Sequence, residues 1–505
     1  MKFVWHWYRH IGVIASAIAL FFLTRLYNIT SLPIFTDEAI YVRWSQIAKQ
    51  DASWRFISLT DGKQPLFIWI SAISMKFISD PLLAARCVSV GAGFVSLVGL
   101  FFLGYEVFRS KKVGFLASAL YVLFPFALVY DKMALYDSLL GALAVWALYF
   151  EIHLIKRKRL DIALILGMVL GTGLLTKSSA FFFIYLLPLS FLLFDFKSHK
   201  KVGQAIKFVL LATVSIVLAY AMYGILRLSP FFHIVDEKNT IFVYPFSEWL
   251  SHPFTFFIGN VRGLFDWLLT YITYPIAGLC LLSFFLGKRI YLREKILLFS
   301  WFLVPFLALA LFGRVIYPRF IFFMTLPLLV LAAYSLYVLL EKIKIQSGKI
   351  VLILLFVFIM IRTDYFILTD FSRAPIPFSD LSQYINEWPA GGGVAEAVEF
   401  FKEQSVTGKV TVFTQGTFGL MPYAFEIYLK DNPNIQVKGF WPVTDIMPKE
   451  FSVQAKSTKV YLVFYQPCVP CRANGEVPIS WPVKKILSYK KGAGNAYLNI
   501  YEVIP

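Results

Sequence analysis

Charge is the scarcest commodity in this sequence. Asp, Glu, Lys and Arg together make up 15% of the 505 residues, against about 25% in an ordinary soluble domain. Cysteine is nearly absent, with 4 in the chain, which excludes a disulfide-stapled small scaffold. Histidine occurs 6 times and never after His252. What fills the chain instead is apolar: 58% of residues are hydrophobic, Phe alone occurs 52 times, and the mean hydropathy is +0.68. That excess exceeds one globular core and excludes both a disordered chain and a soluble enzyme of ordinary size. The composition is that of a multi-pass membrane protein.

The few charges are unevenly signed. Lys plus Arg minus Asp plus Glu is 48 − 30 = +18. In a soluble protein this would suggest nucleic acid, but the placement argues otherwise. Apolar stretches of about 17–22 residues, long enough to cross the hydrocarbon layer, alternate with short basic connectors at 109–112, 156–159, 197–207, 288–295 and 342–349. With Lys2 and Arg9 in the cytoplasm and spans beginning near residues 11, 87, 113, 135, 162, 180, 206, 266, 296, 319 and 350, every basic connector falls inside. About eleven spans then obey the positive-inside rule, and the odd count puts the carboxyl terminus outside. The pair around Leu175 to Phe194 is the weakest, because Lys177 interrupts its apolar run. The first span has the basic start and small residues of a secretory signal, but Phe21, Phe22 and Leu23 carry the apolar run past any cleavage point, which favours an uncleaved span.

Three segments are too polar for the membrane and are assigned to the outer side: loops 30–86 and 227–262, and the tail 368–505. The expected architecture is therefore an α-helical polytopic membrane domain over 1–367 followed by an extracytoplasmic α/β domain over 368–505. Within the first loop, Gln64 to Ile78 is short enough to lie along the interface. The tail carries a helical pattern over Val394 to Gln404 and short β-type runs at Val410 to Thr414, Tyr461 to Tyr465 and Tyr497 to Val503. Gly391-Gly392-Gly393 lacks a preceding strand and the G-x-G-x-x-G spacing, so it reads as a turn after Pro389. Cys87 and Cys280 lie in apolar spans as small hydrophobes. Cys468 and Cys471 form a C-x-x-C without further zinc ligands or a following helix, which leaves a local disulfide as the favoured reading in an oxidising compartment.

Charges at the membrane boundary are expensive to bury and mark candidate sites. Asp37 and Glu38, in Phe35-Thr36-Asp37-Glu38, follow the first span; as first-turn acids they also suit a helix start. Asp137 opens the fourth span, and Asp131 can pair with the adjacent Lys132. Asp37 and Asp137 share a membrane face, where two carboxylates can hold a divalent metal or divide general-base work. Lys63, Lys177, Arg314 and Arg319 gather on that face as exceptions to the positive-inside pattern; individually each can snorkel, and for Arg314 that reading is preferred. Cations beside carboxylates suit an anionic substrate at the membrane surface.

An acidic pair after the first span, Lys63-Gln64-Pro65-Leu66, an Asp opening the fourth span, Leu175-Thr176-Lys177 and Pro318-Arg319-Phe320 occur in that order. In this the chain resembles the GT-C glycosyltransferases over residues 1 to 370, in particular bacterial members of the protein O-mannosyltransferase and aminoarabinose-transferase group. The resemblance implies a polyprenyl-phosphate sugar donor and transfer at the outer face of the plasma (inner) membrane. It matches Asp37 to the catalytic acidic residue, Asp137 to the second acidic position, and Lys63 and Arg319 to groups near the lipid phosphate. Two positions depart from the pattern: Gln64 replaces the first proline of a Lys-Pro-Pro run, and Gly62 stands where some relatives carry an acidic metal ligand. A divalent metal on Asp37, Asp137 or His233 therefore stays an open question.

The chemistry can be argued independently. A sugar on a lipid phosphate already carries a leaving group, so the enzyme must hold the phosphate's charge and deprotonate an attacking hydroxyl. Lys63 and Arg319, with Lys177 as a third cation, are expected at the phosphate; Asp37 is expected as the base, with Glu38 as helper and inversion at the anomeric carbon. The acceptor can be a protein, a glycolipid or a cell-wall glycan; no nucleic-acid partner is expected. A ligase or polymerase using a lipid diphosphate shares this chemistry. A transporter or flippase would show repeated halves and midplane charges, and no internal repeat is apparent.

Overall fold

A computed structural model of the chain describes residues 2–197, 199–466 and 480–504, with the backbone alone described for 2–11 and 13. Cys468 and Cys471 lie outside the described residues. The apolar sequence folds as helices α1 (Lys2–Leu26), α2 (Thr36–Gln50), α3 (Leu66–Ser74), α4 (Pro81–Phe108), α5 (Lys111–Val122), α6 (Pro125–Asp131), α7 (Tyr136–Arg157), α8 (Leu160–Leu174), α9 (Phe181–Leu186) and α10 (Lys201–Tyr223). Then follow α11 (Ile234–Phe242), α12 (Phe246–Trp249), α13 (Phe257–Ile272), α14 (Tyr274–Leu282), α15 (Leu292–Phe312), α16 (Phe322–Lys342) and α17 (Gln346–Thr369). Contacts divide the chain into two compact units: one of Met1–Tyr27, Ser53–Ile70 and Arg86–Pro377, the other of Asn28–Ala52, Ser71–Ala85 and Phe378–Pro505.

Among the described residues, 6 helices are long and apolar enough to cross a membrane, and up to 8 if each bent pair counts as one span. The bent pairs are α5 with α6, at 61°, and α13 with α14, at 98°. Each break has a local cause, since Pro125 and Pro275 stand at the first turn of the second helix, where a missing N–H costs nothing. Shorter apolar helices cover Leu160–Leu174 and Ser178–Leu193, and the Ile14–Leu26 part of α1 is likewise apolar. Apolar helices thus stand where the sequence places its spans, but a count of eleven is not established, because the helices at 160–174 and 178–193 are too short to cross alone. Small residues set the closest packing: Gly167 and Gly171, one turn apart on α8, let α10 approach until an added Cβ would lie 2.9 Å from the Ser215 carbonyl and 2.6 Å from the Met222 sulfur.

The second unit is built on a five-stranded sheet of β1 (Val410–Gln415), β2 (Ile435–Phe440), β3 (Lys459–Gln466), β4 (Val483–Lys490) and β5 (Tyr497–Val503), in the order β2-β1-β3-β5-β4. The first three strands run parallel, connected through α20 (Leu420–Leu429) and α21 (Lys449–Ala455), whereas β4 and β5 form an antiparallel hairpin. (Two short elements, α18 at Phe378–Leu381 and α19 at Val394–Val406, precede β1.) Central β1 is buried throughout, as a parallel strand covered on both faces must be. One face packs Phe413, Phe451, Phe464 and Trp481 into a core. Edge strand β4 carries Lys484, Lys485 and Lys490, charges that discourage further pairing.

This unit also contains α2. Arg43 on α2 pairs with Glu426 of α20 at 2.6 Å, and Gln46 donates to the Ile427 carbonyl at 3.0 Å. The acidic segment after the first span is therefore part of the α/β unit, although the first strand begins 410 − 50 = 360 residues after α2 ends.

Candidate functional site

In the first unit, the site is assembled from four turns. Residues Ile57–Asp61 form a short 3-10 helix closed by Gly62 in the left-handed region, φ +65°. The Lys63 N–H then returns to the Ser58 carbonyl at 3.0 Å, fixing the backbone that carries the lysine. Glycine is required at 62 twice over: by its φ, and because an added Cβ would meet the Ile234 carbonyl and the Lys238 Cβ at 2.5 Å. The close approach lets Lys238 reach the Asp61 carboxylate at 2.6 Å, while Lys63 lies 3.5 Å from the same group.

The second turn is the break after α8. Leu66 N–H donates to the Leu175 carbonyl at 3.1 Å, and Gln64 Nε2 donates to Ser178 Oγ at 2.8 Å. Gln64, the departure from a double proline, thus joins the Lys63 turn to the Lys177 turn with a bond that proline lacks the donor to make. Lys177 in turn donates to Asp137 Oδ1 at 2.8 Å. Asp137 sits in the first turn of α7, nearly fully buried.

The third turn is Pro318–Ile321. Lys177 Nζ lies 4.8 Å from the centre of the Phe320 ring, so the turn that carries Arg319 borders the Lys177 turn. The Arg319 guanidinium lies 5.2 Å from the Tyr317 ring centre. The fourth is the end of α11, whose Phe242 packs on Phe320 and accepts the Arg314 N–H at 2.8 Å. Arg314 itself faces Glu248 and the Tyr244 ring.

The sequence reading assembled Lys63, Lys177, Arg319 and Asp137 as boundary charges; these contacts link the turns of Lys63, Lys177 and Asp137, and Arg319 is carried on the turn beside Lys177. It missed Lys238, which carries no motif and lies in the loop expected at 227–262. It also paired Asp131 with Lys132. Instead Lys132 Nζ donates to the Tyr27 carbonyl at 2.7 Å, and Asp131 faces Arg25 at 3.4 Å, both side chains fully buried. Ser138, next to Asp137, donates to Asp131 at 2.8 Å, and Arg25 also donates to the Tyr121 carbonyl at 3.1 Å. An added Cβ on Gly93 would strike the Asp131 carboxylate at 2.5 Å, so this buried pair is closely fitted.

Among the described contacts, this neighbourhood holds the cations Lys63, Lys177 and Lys238 and the acids Asp61 and Asp137, for a formal 3 − 2 = +1, with Arg319 carried on the neighbouring turn. That balance suits an anion. It does not suit a divalent metal: Gly62 offers no ligand, and the Lys238 stem packs against it. His233 Nδ1 is 2.9 Å from the Pro230 carbonyl. Among the described residues, no group of three or more His, Cys, Asp or Glu side chains is arranged to hold a metal ion.

In the second unit, Asp37 and Glu38 occupy the first turn of α2. Glu38 is fully buried and accepts the Phe35 N–H at 3.0 Å, a capping bond that satisfies a donor at the helix start. Thr36 donates both its N–H, at 3.0 Å, and its hydroxyl, at 2.9 Å, to the Pro389 carbonyl. Asp37 is half-buried between these anchored neighbours.

Residues 62–223 match the family of dolichyl-phosphate-mannose-protein mannosyltransferases. The undecaprenyl phosphate-alpha-4-amino-4-deoxy-L-arabinose arabinosyl transferase of Aeromonas hydrophila is 25% identical over 222 residues, which are 41% of this chain and 40% of that protein. The alignment thus spans well under half of the relative's length. Among solved structures, ArnT from Cupriavidus metallidurans bound to undecaprenyl phosphate superposes with a TM-score of 0.61 at 12% identity, over 98% of this chain and 99% of that one. Its apo form gives 0.59 at 11% identity over 98% of both chains. The archaeal oligosaccharyltransferase AglB from Archaeoglobus fulgidus, in complex with an inhibitory peptide and a dolichol-phosphate, gives 0.50 at 12% identity over 90% of this chain and 69% of that one. The chain has the fold of ArnT, and over residues 62–223 its sequence resembles the dolichyl-phosphate-mannose-protein mannosyltransferase family.

Proposed function

We propose that the chain is a membrane glycosyltransferase that moves a sugar from a polyprenyl-phosphate donor to an acceptor hydroxyl at the extracytoplasmic face of the membrane. The observation that carries this reading is the linkage of the Lys63 and Lys177 turns through Gln64 and Ser178, with the turn that carries Arg319 set against Lys177 at Phe320. In the reaction, the acceptor oxygen forms a bond to the anomeric carbon while the bond from that carbon to the phosphate oxygen breaks. Charge accumulates on the departing phosphate, where fixed cations lower the barrier most. Lys63, Arg319 and Lys177 hold that phosphate, with Lys238 adding charge beside Asp61. Asp137 orients Lys177 through their 2.8 Å hydrogen bond.

Asp37 takes the acceptor's proton, and direct displacement inverts the anomeric carbon. Glu38, whose carboxylate caps α2, helps by holding the turn that carries Asp37. The basic connectors support a cytoplasmic amino terminus and an extracytoplasmic α/β unit. The similarity to an arabinosyl transferase and to a structure bound to undecaprenyl phosphate supports a polyprenyl-phosphate donor of bacterial type.

The test is to incubate the full-length protein in lipid nanodiscs with a panel of undecaprenyl-phosphate sugars labelled in the sugar, together with envelope lipids, proteins and glycans as acceptors. Labelled product with release of undecaprenyl phosphate is expected. Release of a lipid diphosphate from diphosphate-linked donors alone would move the assignment to a ligase or polymerase. Asp37→Asn is expected to lower turnover by about 100-fold or more, the scale of general-base catalysis, at unchanged donor binding. Near-normal turnover would remove Asp37 from the base role.

A further inference from the structure

Lys491 opens the turn between β4 and β5, and its side chain is fully buried. Its ammonium donates to the Ala390 carbonyl at 2.6 Å and to the Trp388 carbonyl at 3.1 Å, and lies 4.6 Å from the centre of the Tyr465 ring. A buried cation without a carboxylate partner in direct contact is costly and needs a reason. The residues it grips supply one. Ala390 bridges Phe35 as an antiparallel pair, and the intervening Pro389 carbonyl receives both bonds from Thr36. Glycines on both sides tighten the arrangement: a Cβ at Gly391 would lie 2.4 Å from the Ile34 carbonyl, and one at Gly494 would lie 2.5 Å from the Asn386 carbonyl. Ala493 N–H donates to Asn386 Oδ1 at 3.0 Å, and Lys491 N–H closes the turn on the Ala496 carbonyl at 2.8 Å.

We propose that Lys491 is a positioning residue for the reaction: by clamping the carbonyls of Trp388 and Ala390 it fixes the 34–36 segment, and with it the first turn of α2 and the Asp37 carboxylate. The inference rests on the reading of Asp37 as the base and assigns the α/β unit a task in catalysis, that of holding the acidic turn in register. The hairpin acts on the carboxylate through three consecutive links, each a main-chain hydrogen bond or a side chain bonded to main chain. A shift of an ångström in a reacting group costs about 100-fold in rate, so loosening any link is expected to be felt in turnover.

The experiment uses the full chain in nanodiscs with Lys491→Met, Lys491→Arg and, as a destabilised control in the opposite core, Val503→Ala. Amide hydrogen exchange reports the clamp without any substrate. Lys491→Met is expected to speed exchange at residues 35–39 by tenfold or more while amides of β1 and β3 stay protected. Initial rates with the labelled undecaprenyl-phosphate sugars should then show kcat reduced by about 10- to 100-fold at an unchanged donor KM. Lys491→Arg, which keeps a buried donor, should recover most of both. Unchanged exchange at 35–39 in Lys491→Met overturns the clamp. An equal fall in kcat for Val503→Ala, or a rise in donor KM in place of the fall in kcat, overturns the positioning role. Full activity of Asp37→Asn would instead overturn the base assignment and leave the exchange result to decide the clamp alone.

Discussion

At the scale of single residues, the side chains that matter most are charges held away from water. Lys491 is the clearest. Burial lowers its pKa from 10.5 to about 7, with Glu387 pulling the other way and too weakly to offset the loss of hydration. In the unfolded chain the amine keeps its proton to about pH 10.5. Between pH 7 and 10.5 the unfolded state therefore binds more protons than the folded one, and stability rises with pH across that window. Thermal unfolding of the full-length protein is expected to move upward between pH 7 and 9, and Lys491→Met to flatten that rise. A slope identical in the variant would show that the amine is not the titrating group. Gly62 makes the complementary point, since its left-handed φ and the Lys238 stem against it bring a lysine to the Asp61 carboxylate.

At the scale of elements, short turns between helices carry the site, and long helices hold the turns. The Arg25–Asp131 pair shows how, because it ties α1, α5, α6 and the start of α7 into one buried network beside Asp137. Arg25→Met leaves Asp131 buried without its cation and is expected to destabilise the membrane unit by about 3–5 kcal/mol, read as a lower unfolding temperature in detergent. Stability equal to wild type would mean that Asp131 is compensated elsewhere. These elements differ in how readable they were. Lys63, Lys177, Arg319 and Asp137 stood out because a charge beside an apolar run is conspicuous. The strands of the tail were legible from their β-branched and aromatic runs. Arg25 and Asp131 looked like ordinary flanking charges, and a nearest-neighbour pairing of Asp131 with Lys132 was natural but wrong, because Lys132, at the end of α6, donates to the Tyr27 carbonyl while Asp131 faces Arg25. Lys238 and Lys491 were invisible, since their roles depend on partners about 180 and 100 residues away.

At the scale of the whole molecule, the chain combines a helical membrane unit with an α/β unit that draws residues 28–52 and 71–85 from the first loop. No periodicity announces such a recruitment; it follows from the apolar face of α2 and from Arg43, whose partner Glu426 lies far along the chain. The fold is shared with ArnT and AglB at 11–12% identity, so function must be argued from the residues of the site. The central claim is that the cationic turns of the membrane unit hold the phosphate of a polyprenyl carrier. Binding of undecaprenyl phosphate to the purified full-length protein, followed by native mass spectrometry, tests it directly. Lys63→Met and Lys177→Met are each expected to weaken that binding by about tenfold, the loss of one charge-assisted hydrogen bond, while a control at the exposed, distant Lys112 changes nothing. Equal affinity in wild type, Lys63→Met and Lys177→Met would contradict the account.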